Sequence, residues 1–89
     1  MNFAWNPRKA SSNRKKHGVS FEEAATVFAD PLALAIEDEL DPGRTLLLGT
    51  SDRLWVLLVV HVELADDTVR LISARRATSH ERRRYEEGQ

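Results

Sequence analysis

Seven consecutive apolar residues at positions 54–60, three of them valines, limit most strongly how this chain can fold. A continuous apolar run that is rich in β-branched residues is typical of a central strand buried on both faces. The run is far shorter than the ~20 residues that cross a bilayer, so no membrane contact is expected. A chain of 89 residues has room for one modest core, and residues 1–89 are predicted to form a single domain.

Signals for helices and strands fall into separate blocks of the sequence. Such blocks, rather than alternation, indicate an α+β fold with two N-terminal helices, a four-stranded antiparallel meander sheet and a C-terminal helix. Residues 3–5 are predicted to be a short strand or an anchor. The predicted strands are residues 32–36, 44–50, 54–63 and 68–76. The predicted helices are residues 7–17 after the N-cap Asn6, residues 20–29 with the capping box Ser20 and Glu23, and a helix from the capping box Thr78 and Glu81 through Tyr85.

The charges are strongly segregated, although the net charge is only −1. Residues 1–18 carry five basic side chains and no acidic one, whereas residues 19–42 carry seven acidic side chains and no basic one. Six arginines and three glutamates follow from position 68 onwards. If the two cationic ends meet, they form one basic face suited to a phosphate backbone. The alternative is three solvated helical faces of unlike charge, and charge alone does not separate these two interpretations.

The absence of cysteine excludes disulfides and thiolate metal sites. The three histidines, His17, His61 and His80, are widely spaced and contain no i,i+4 pair, so no metal or other cofactor is expected. No secretory signal is visible, because Met1 is followed by polar Asn2 and then by a basic helix. A cytoplasmic location is therefore predicted.

The third and fourth strands are predicted to form a hairpin through a two-residue turn at Asp66 and Asp67. That register pairs Glu63 with Arg70, and His61 with Ile72, so that His61 and Glu63 share one face with Arg70 beside them. The alternative is a surface ion pair between Glu63 and Arg70, with His61 as a core side chain.

Arg75 and Arg76 end the fourth strand immediately before a helix N-terminus, an arrangement that indicates an anion site. The alternative is a pair of surface arginines that close the sheet. Lys16 and His17 end the basic first helix. The helix dipole alone accounts for a lysine there, and His17 could pack at the corner between the helices.

Taken together, these segments resemble the BrnT family of toxins over nearly the whole chain. The family often has Asp where this sequence has Asn6, which changes little at an N-cap. The resemblance rests on Trp5-Asn6-Pro7, Lys9, Asn13, residues 16–24, Phe28, Asp30-Pro31, Ile72-Ser73-Ala74-Arg75, Ala77, Glu81-Arg82 and Tyr85.

The resemblance implies a RelE-like fold, a ribonuclease that blocks translation and a BrnA antitoxin encoded beside it. It also implies that toxin and antitoxin together repress their own operon, with operator DNA contacted only through the antitoxin. Cleavage of RNA without metal needs a base, cations that stabilise the phosphorane, and an acid. The predicted roles are base for Glu63 or His61, transition-state stabiliser for Arg75, phosphate contacts for Lys16, Arg70 and Arg76, and acid for His17.

Two other functions compete with the nuclease. One is a non-catalytic module that binds nucleic acid or an antitoxin, because a binding surface needs only cations. It is distinguished from a nuclease by whether Glu63 and His61 lie within reach of Arg75. The other is a DNA-binding protein built on the first two helices. Against that function, the second helix is acidic at the end where a recognition helix would face the bases.

Overall fold

The computed structural model describes residues 1–88, which form a five-stranded sheet with helices on both faces. The strand order across the sheet is β1-β5-β4-β3-β2. Among these residues no helix is both long and apolar enough to cross a membrane. The elements are β1 (Asn2–Ala4), α1 (Pro7–His17), α2 (Phe21–Thr26) with a 3-10 turn at Val27–Ala29, β2 (Leu34–Glu37), β3 (Thr45–Thr50), β4 (Val56–Leu64), β5 (Thr68–Arg76) and α3 (Ser79–Glu87).

The predicted α+β class is confirmed, but the prediction that the sheet has only four strands, all antiparallel, is wrong. Strands β2 to β5 form the predicted meander, and β1 adds a fifth strand that runs parallel to β5. Asn2 lies opposite Thr68, and Ala4 lies opposite Arg70. Three residues are too few to show a strand periodicity, and their partner strand is more than sixty positions away in the sequence. The short strand predicted at residues 3–5 forms as β1, one residue earlier, but its parallel pairing with β5 therefore has no local signal in the sequence.

The helix caps form at the predicted residues. The Asn6 side chain accepts hydrogen bonds from the N–H groups of Arg8 and Lys9, and α1 ends at Gly18 with a φ of 70°. Ser20 caps α2 through the N–H of Glu23. Thr78 and Glu81 form a reciprocal capping box at the start of α3. These caps satisfy N–H groups that the first turn of a helix leaves without partners.

The core lies between the sheet and the first two helices. Leu57 and Val59 of β4 are buried on this face, and Leu58 is buried on the other, which α3 covers in part. The prediction of a central strand buried on both faces is therefore confirmed. The strand begins at Val56, however, because Leu54 adopts a left-handed φ of 67° and stays outside the sheet. The core cluster consists of Val19, Phe21, Ala24, Val27, Leu57, Val59, Val69, Leu71 and Ala74.

The predicted register of the hairpin between β4 and β5 is wrong by one residue. Leu64 lies opposite Thr68, so the connection has three residues rather than two, and both Asp66 and Asp67 have positive φ angles. As a result Glu63 pairs with Val69, whereas Arg70 lies opposite Val62. Directly opposed residues share a face, so Glu63 and Arg70 leave the sheet on opposite sides.

A second irregularity in the same strand pair decides where Arg75 points. His61 lies opposite Leu71 and Val60 lies opposite Ser73, which leaves Ile72 as an extra residue in β5. The extra residue reverses the alternation of faces in β5. Arg75 therefore lies opposite Leu58, on the face of the sheet that α3 covers.

A side chain takes the place of a neighbouring strand along the outer edge of β5. The pairing of β1 with β5 ends at Arg70, and α1 follows that edge from there. The buried amide of Asn13 donates to the carbonyl oxygen of Ala74 at 2.8 Å and accepts from the Ala74 N–H at 3.0 Å. The same amide nitrogen donates to the carbonyl of Val19 at 3.0 Å. One side chain thus ties α1, the residue before the N-cap of α2, and β5 together.

Replacing Asn13 with Ala should lower the free energy of unfolding by about 3 kcal/mol, because buried backbone groups of Ala74 and Val19 lose their partners. Asn13→Asp keeps the size but removes the donor, so it should be at least as harmful. Urea denaturation measures both, with Ser12→Ala on the same helix as the control. A loss below about 1 kcal/mol in Asn13→Ala would show that water replaces these bonds.

Candidate active site

Arg75 and Glu81 form a bidentate ion pair between the end of β5 and the start of α3. The capping box places Glu81 in the first turn of α3, directly after the end of β5. The guanidinium donates from both terminal nitrogens, at 2.8 Å to Oε1 and 2.9 Å to Oε2 of Glu81. One of those nitrogens also donates to the carbonyl of Arg76 at 3.2 Å. Two parallel bonds to a carboxylate fix the plane of the guanidinium, not merely its position.

The pairing keeps both side chains charged. The hydrogen bond from Arg75 lowers the pKa of Glu81 to about 2, against the opposing effect of burial and with further help from the Thr78 N–H. The same hydrogen bond raises the pKa of Arg75. A carboxylate with so low a pKa is a poor proton acceptor at neutral pH. Glu81 is therefore suited to orienting Arg75 rather than to taking a proton.

A shallow depression of about 210 Å³ lies where α1 meets β5. Ser73 is two residues before Arg75 in β5, so the two share a face and lie about 7 Å apart along the strand. The structure therefore brings the predicted Lys16 and His17 together beside Ser73, two residues before Arg75, whereas the Arg75 side chain itself does not line the depression. The depression is lined by Lys9, Ser12, Asn13, Lys16, His17, Ile72 and Ser73.

The structure does not bring His61 to Arg75. His61 is buried on the α2 side of the sheet, with its ring centroid 4.9 Å from that of Phe28. Its Nδ1 has no hydrogen-bond partner within residues 1–88, and burial lowers the pKa of the imidazole. His61 is therefore a neutral core side chain at pH 7, in line with the alternative given above.

Glu63 is also remote from Arg75. Its partner Val69 is six positions before Arg75 in β5, a separation of about 20 Å along the strand. Glu63 lies at the other end of the sheet, beside Met1 and Asp67. Neither candidate for the base, the Glu63 carboxylate or the His61 imidazole, is thus within reach of Arg75.

The other two predicted phosphate contacts occupy different surroundings. Arg70 is exposed next to Ala4 of β1, five positions before Arg75. Arg76 is exposed at the end of β5, with its guanidinium carbon 3.6 Å from the ring centroid of Trp55. Arg76 therefore adjoins Arg75 in the chain, whereas Arg70 belongs to a more distant part of the surface.

The sequence predicts that Tyr85 packs back near Glu81 or the sheet, but not the hydrogen bonds that hold α3 there. The hydroxyl of Tyr85 donates to Asp30 at 2.6 Å and accepts from the Thr50 hydroxyl at 3.1 Å. The sequence marks Glu81 as a capping residue and as part of the family resemblance, but not as the partner of Arg75, because that pairing depends on how α3 turns back over the sheet. One sequence signal for the Arg75–Glu81 pair exists. A glutamate at the N3 position of a helix follows six residues after an arginine near the end of a strand.

Within the described part of the chain, no three His, Asp or Glu side chains gather closely enough to hold a metal ion.

Comparison with known proteins identifies the family. The family model for BrnT, the ribonuclease toxin of a type II toxin–antitoxin system, matches residues 5–81. The chain belongs to the BrnT family. The matched range includes Lys16, His17, Arg75 and Glu81, and membership in a type II toxin family implies an antitoxin partner.

The fold of this BrnT-family protein is similar to that of a solved structure. The 1.1 Å crystal structure of the Brucella abortus ribonuclease toxin BrnT superposes with a TM-score of 0.73 and 21% sequence identity. The match covers 89% of this chain and 99% of the Brucella chain. A search of curated proteins gives no match.

Glu81→Gln keeps the capping box, because glutamine also serves at N3, but removes the charge from the pair with Arg75. A pKa of about 2, below the ordinary 4.5, means that the carboxylate stabilises the fold fully above pH 4.5 and loses this effect as the pH falls toward 2. Because the Arg75 side chain is 38% exposed, screening should leave about 1–2 kcal/mol.

Urea denaturation at pH 7 and at pH 2.5 tests this expectation. The Gln variant should be less stable than the wild type at pH 7, and the difference should shrink at pH 2.5. An equal difference at both pH values would mean that the ion pair contributes nothing to folding.

Proposed function

We propose that this BrnT-family protein is a metal-independent endoribonuclease whose central catalytic residue is Arg75. It acts in the cytoplasm, inhibits translation by cleaving RNA, and is neutralised by a BrnA-type antitoxin that also carries the contacts to operator DNA. The observation that carries this proposal is the guanidinium of Arg75, held rigidly by Glu81 on the strand that lines the depression beside Lys16 and His17.

The reaction is an attack of a ribose 2′-oxygen on the adjacent phosphorus. The 2′-hydroxyl loses its proton to a base as the new O–P bond forms. The bond from phosphorus to the 5′-oxygen breaks, and that oxygen receives a proton from an acid. The products are a 2′,3′-cyclic phosphate and a 5′-hydroxyl. Stabilisation of the doubly charged phosphorane between these steps is the largest demand on the site.

Arg75 meets that demand through its fixed orientation. The bonds to Glu81 use the two terminal nitrogens, and the Nε–H takes no part in them. A preorganised cation of this kind stabilises developing charge on phosphate oxygens without reorganising during the reaction. Glu81 and the Arg76 carbonyl take three of the five N–H groups of Arg75, so the Nε–H and one N–H of Nη2 are left to donate to phosphate oxygens.

His17 is the residue we assign to proton transfer. It is the histidine of the depression beside Ser73, whereas His61 is enclosed in the core. Histidine most often acts as a general acid or base near neutral pH. Lys16 in the same depression and Arg76 beside Arg75 contact the flanking phosphates, and Arg70 contacts one farther along the strand.

A non-catalytic module that binds nucleic acid or an antitoxin is the second candidate. It is favoured by the distance of Glu63 and His61 from Arg75, since a binding surface needs cations but no nearby base. The two functions differ in whether His17 transfers a proton, and the two predictions below separate them.

Arg75→Ala should lower the rate of RNA cleavage by about 100- to 1000-fold, because the phosphorane loses its fixed cation. The initial rate on a fluorogenic single-stranded RNA in the presence of a chelator measures this effect. Arg44→Ala, which removes an exposed arginine from the loop before β3, is the matched control. Undiminished cleavage by Arg75→Ala would remove Arg75 from the mechanism, and loss of wild-type cleavage in the chelator would exclude a metal-independent reaction.

His17→Gln should lower the cleavage rate by about 100-fold or more while leaving RNA affinity within a factor of about two. The variant should also lose one limb of the pH–rate profile. Affinity is measured with an oligodeoxynucleotide, which lacks the attacking 2′-hydroxyl, and His80→Gln on α3 is the control. If cleavage by His17→Gln equals that of the wild type, His17 is not the acid or the base.

A further inference from the structure

We propose that Trp55, backed by the guanidinium of Arg76, is a stacking site for an unpaired nucleobase of the RNA strand that binds at Arg75. This inference rests on the proposed function, because it concerns how the same substrate is held. It assigns Trp55 as a binding residue and specifies single-stranded RNA as the substrate class.

The first observation is that two large apolar side chains stand in solvent at adjacent positions. Leu54 is 83% exposed and Trp55 is 43% exposed, at the end of the loop between β3 and β4. Unlike the isolated exposed Leu40, these two side chains are adjacent, and one of them carries an aromatic ring. Their exposure has a structural cause in the loop itself.

Ser51 provides that cause from within the loop. Its N–H donates to the carbonyl of Trp55 at 2.8 Å, and its carbonyl accepts from the N–H of Leu54 at 2.9 Å. The buried Ser51 hydroxyl donates to Glu23 of α2 at 2.7 Å. The loop is thus closed on itself and anchored to a helix.

A second anchor and a strained residue complete the loop. The N–H of Asp52 donates to the hydroxyl of Thr26 in α2 at 2.9 Å. Leu54 has a φ of 67°, in the left-handed region that is unfavourable for a non-glycine residue. The surrounding bonds hold this conformation, and its effect is to present Trp55 outside the sheet rather than within β4.

A cation also lies against the indole ring of Trp55. Arg76 places its guanidinium carbon 3.6 Å from the ring centroid of Trp55, so it covers one face of the ring. Trp55 nevertheless stays 43% exposed, so part of the aromatic side chain meets solvent beside this positive charge. Unpaired bases stack on aromatic side chains and on arginine planes, and the charge attracts the phosphate that accompanies each base.

The position of this pair matches the proposed reaction. Arg75 and Arg76 are consecutive and end β5, opposite Leu58 and Leu57 respectively, so their side chains leave the two faces of the sheet at one end. A single strand that passes over this end contacts both arginines. A base in a duplex is already stacked on its neighbours, so the site selects unpaired nucleotides.

Binding of a short mixed-sequence oligodeoxynucleotide tests the proposal, compared with an abasic strand of equal length and equal phosphate number. Trp55→Ala should weaken binding of the base-bearing strand by about 5- to 100-fold, the range expected for loss of one stacked base. Trp55→Phe should retain most of the affinity. For the abasic strand, Trp55→Ala should bind as well as the wild type.

Leu40→Ala is the matched control, because Leu40 is a 97% exposed apolar residue in the acidic loop before β3. It should leave both affinities unchanged, and thermal unfolding of each variant verifies that the fold is intact. Wild-type affinity of Trp55→Ala for the base-bearing strand would overturn the proposal. The proposal would also be overturned if Trp55→Ala bound and cleaved RNA normally but was no longer neutralised by the antitoxin. That result would show that the loop binds the protein partner instead of RNA.

Failure of the stacking site is distinguishable from failure of the nuclease. If Trp55→Ala binds normally but Arg75→Ala no longer cleaves RNA, only the stacking site is refuted. If binding depends on Trp55 but the wild type cleaves no RNA, the stacking site stands and the nuclease is refuted.

Discussion

The side-chain amide of Asn13 is the contact on which the arrangement of this protein depends. Strand β1 pairs with β5 only as far as Arg70. Beyond that point the outer edge of β5 faces α1, and a helix offers no regular row of hydrogen-bond partners to the backbone of a strand. The amide resembles a peptide group, with one donor and one acceptor side, so it pairs with Ala74 as a neighbouring strand would. The helix that carries Lys16 and His17 is thereby held in register with the strand that carries Arg75.

The extra residue in β5 has an equally large consequence for the candidate site. Without it, strict alternation would place Arg75 on the same face as Leu71, beneath the first two helices. With it, Ala74 enters the core and Arg75 emerges on the other face, where Glu81 meets it. Bulges often redirect a side chain near a functional site, and here the redirected side chain is the one most suited to binding phosphate.

Helix α3 contributes little to the core but much to the candidate site. It has no buried residue, and polar contacts hold it to the rest of the protein. Glu81 at its first turn pairs with Arg75, and Tyr85 near its other end bonds with Asp30 and Thr50. The helix therefore positions a guanidinium and adds positive charge from Arg82 and its neighbours, in keeping with a surface that binds an anionic polymer.

The sequence by itself determined the helix caps, the central strand, the α+β class and the BrnT family, because each is written in contiguous residues or local periodicity. It also marked Arg75, Lys16 and His17. The tertiary structure alone decided the parallel β1, the hairpin register and the pairing of Arg75 with Glu81. It also excluded Glu63 and His61 as neighbours of Arg75. A one-residue slip or one extra residue reverses which face a strand residue occupies, and such slips depend on long-range packing that no local pattern records.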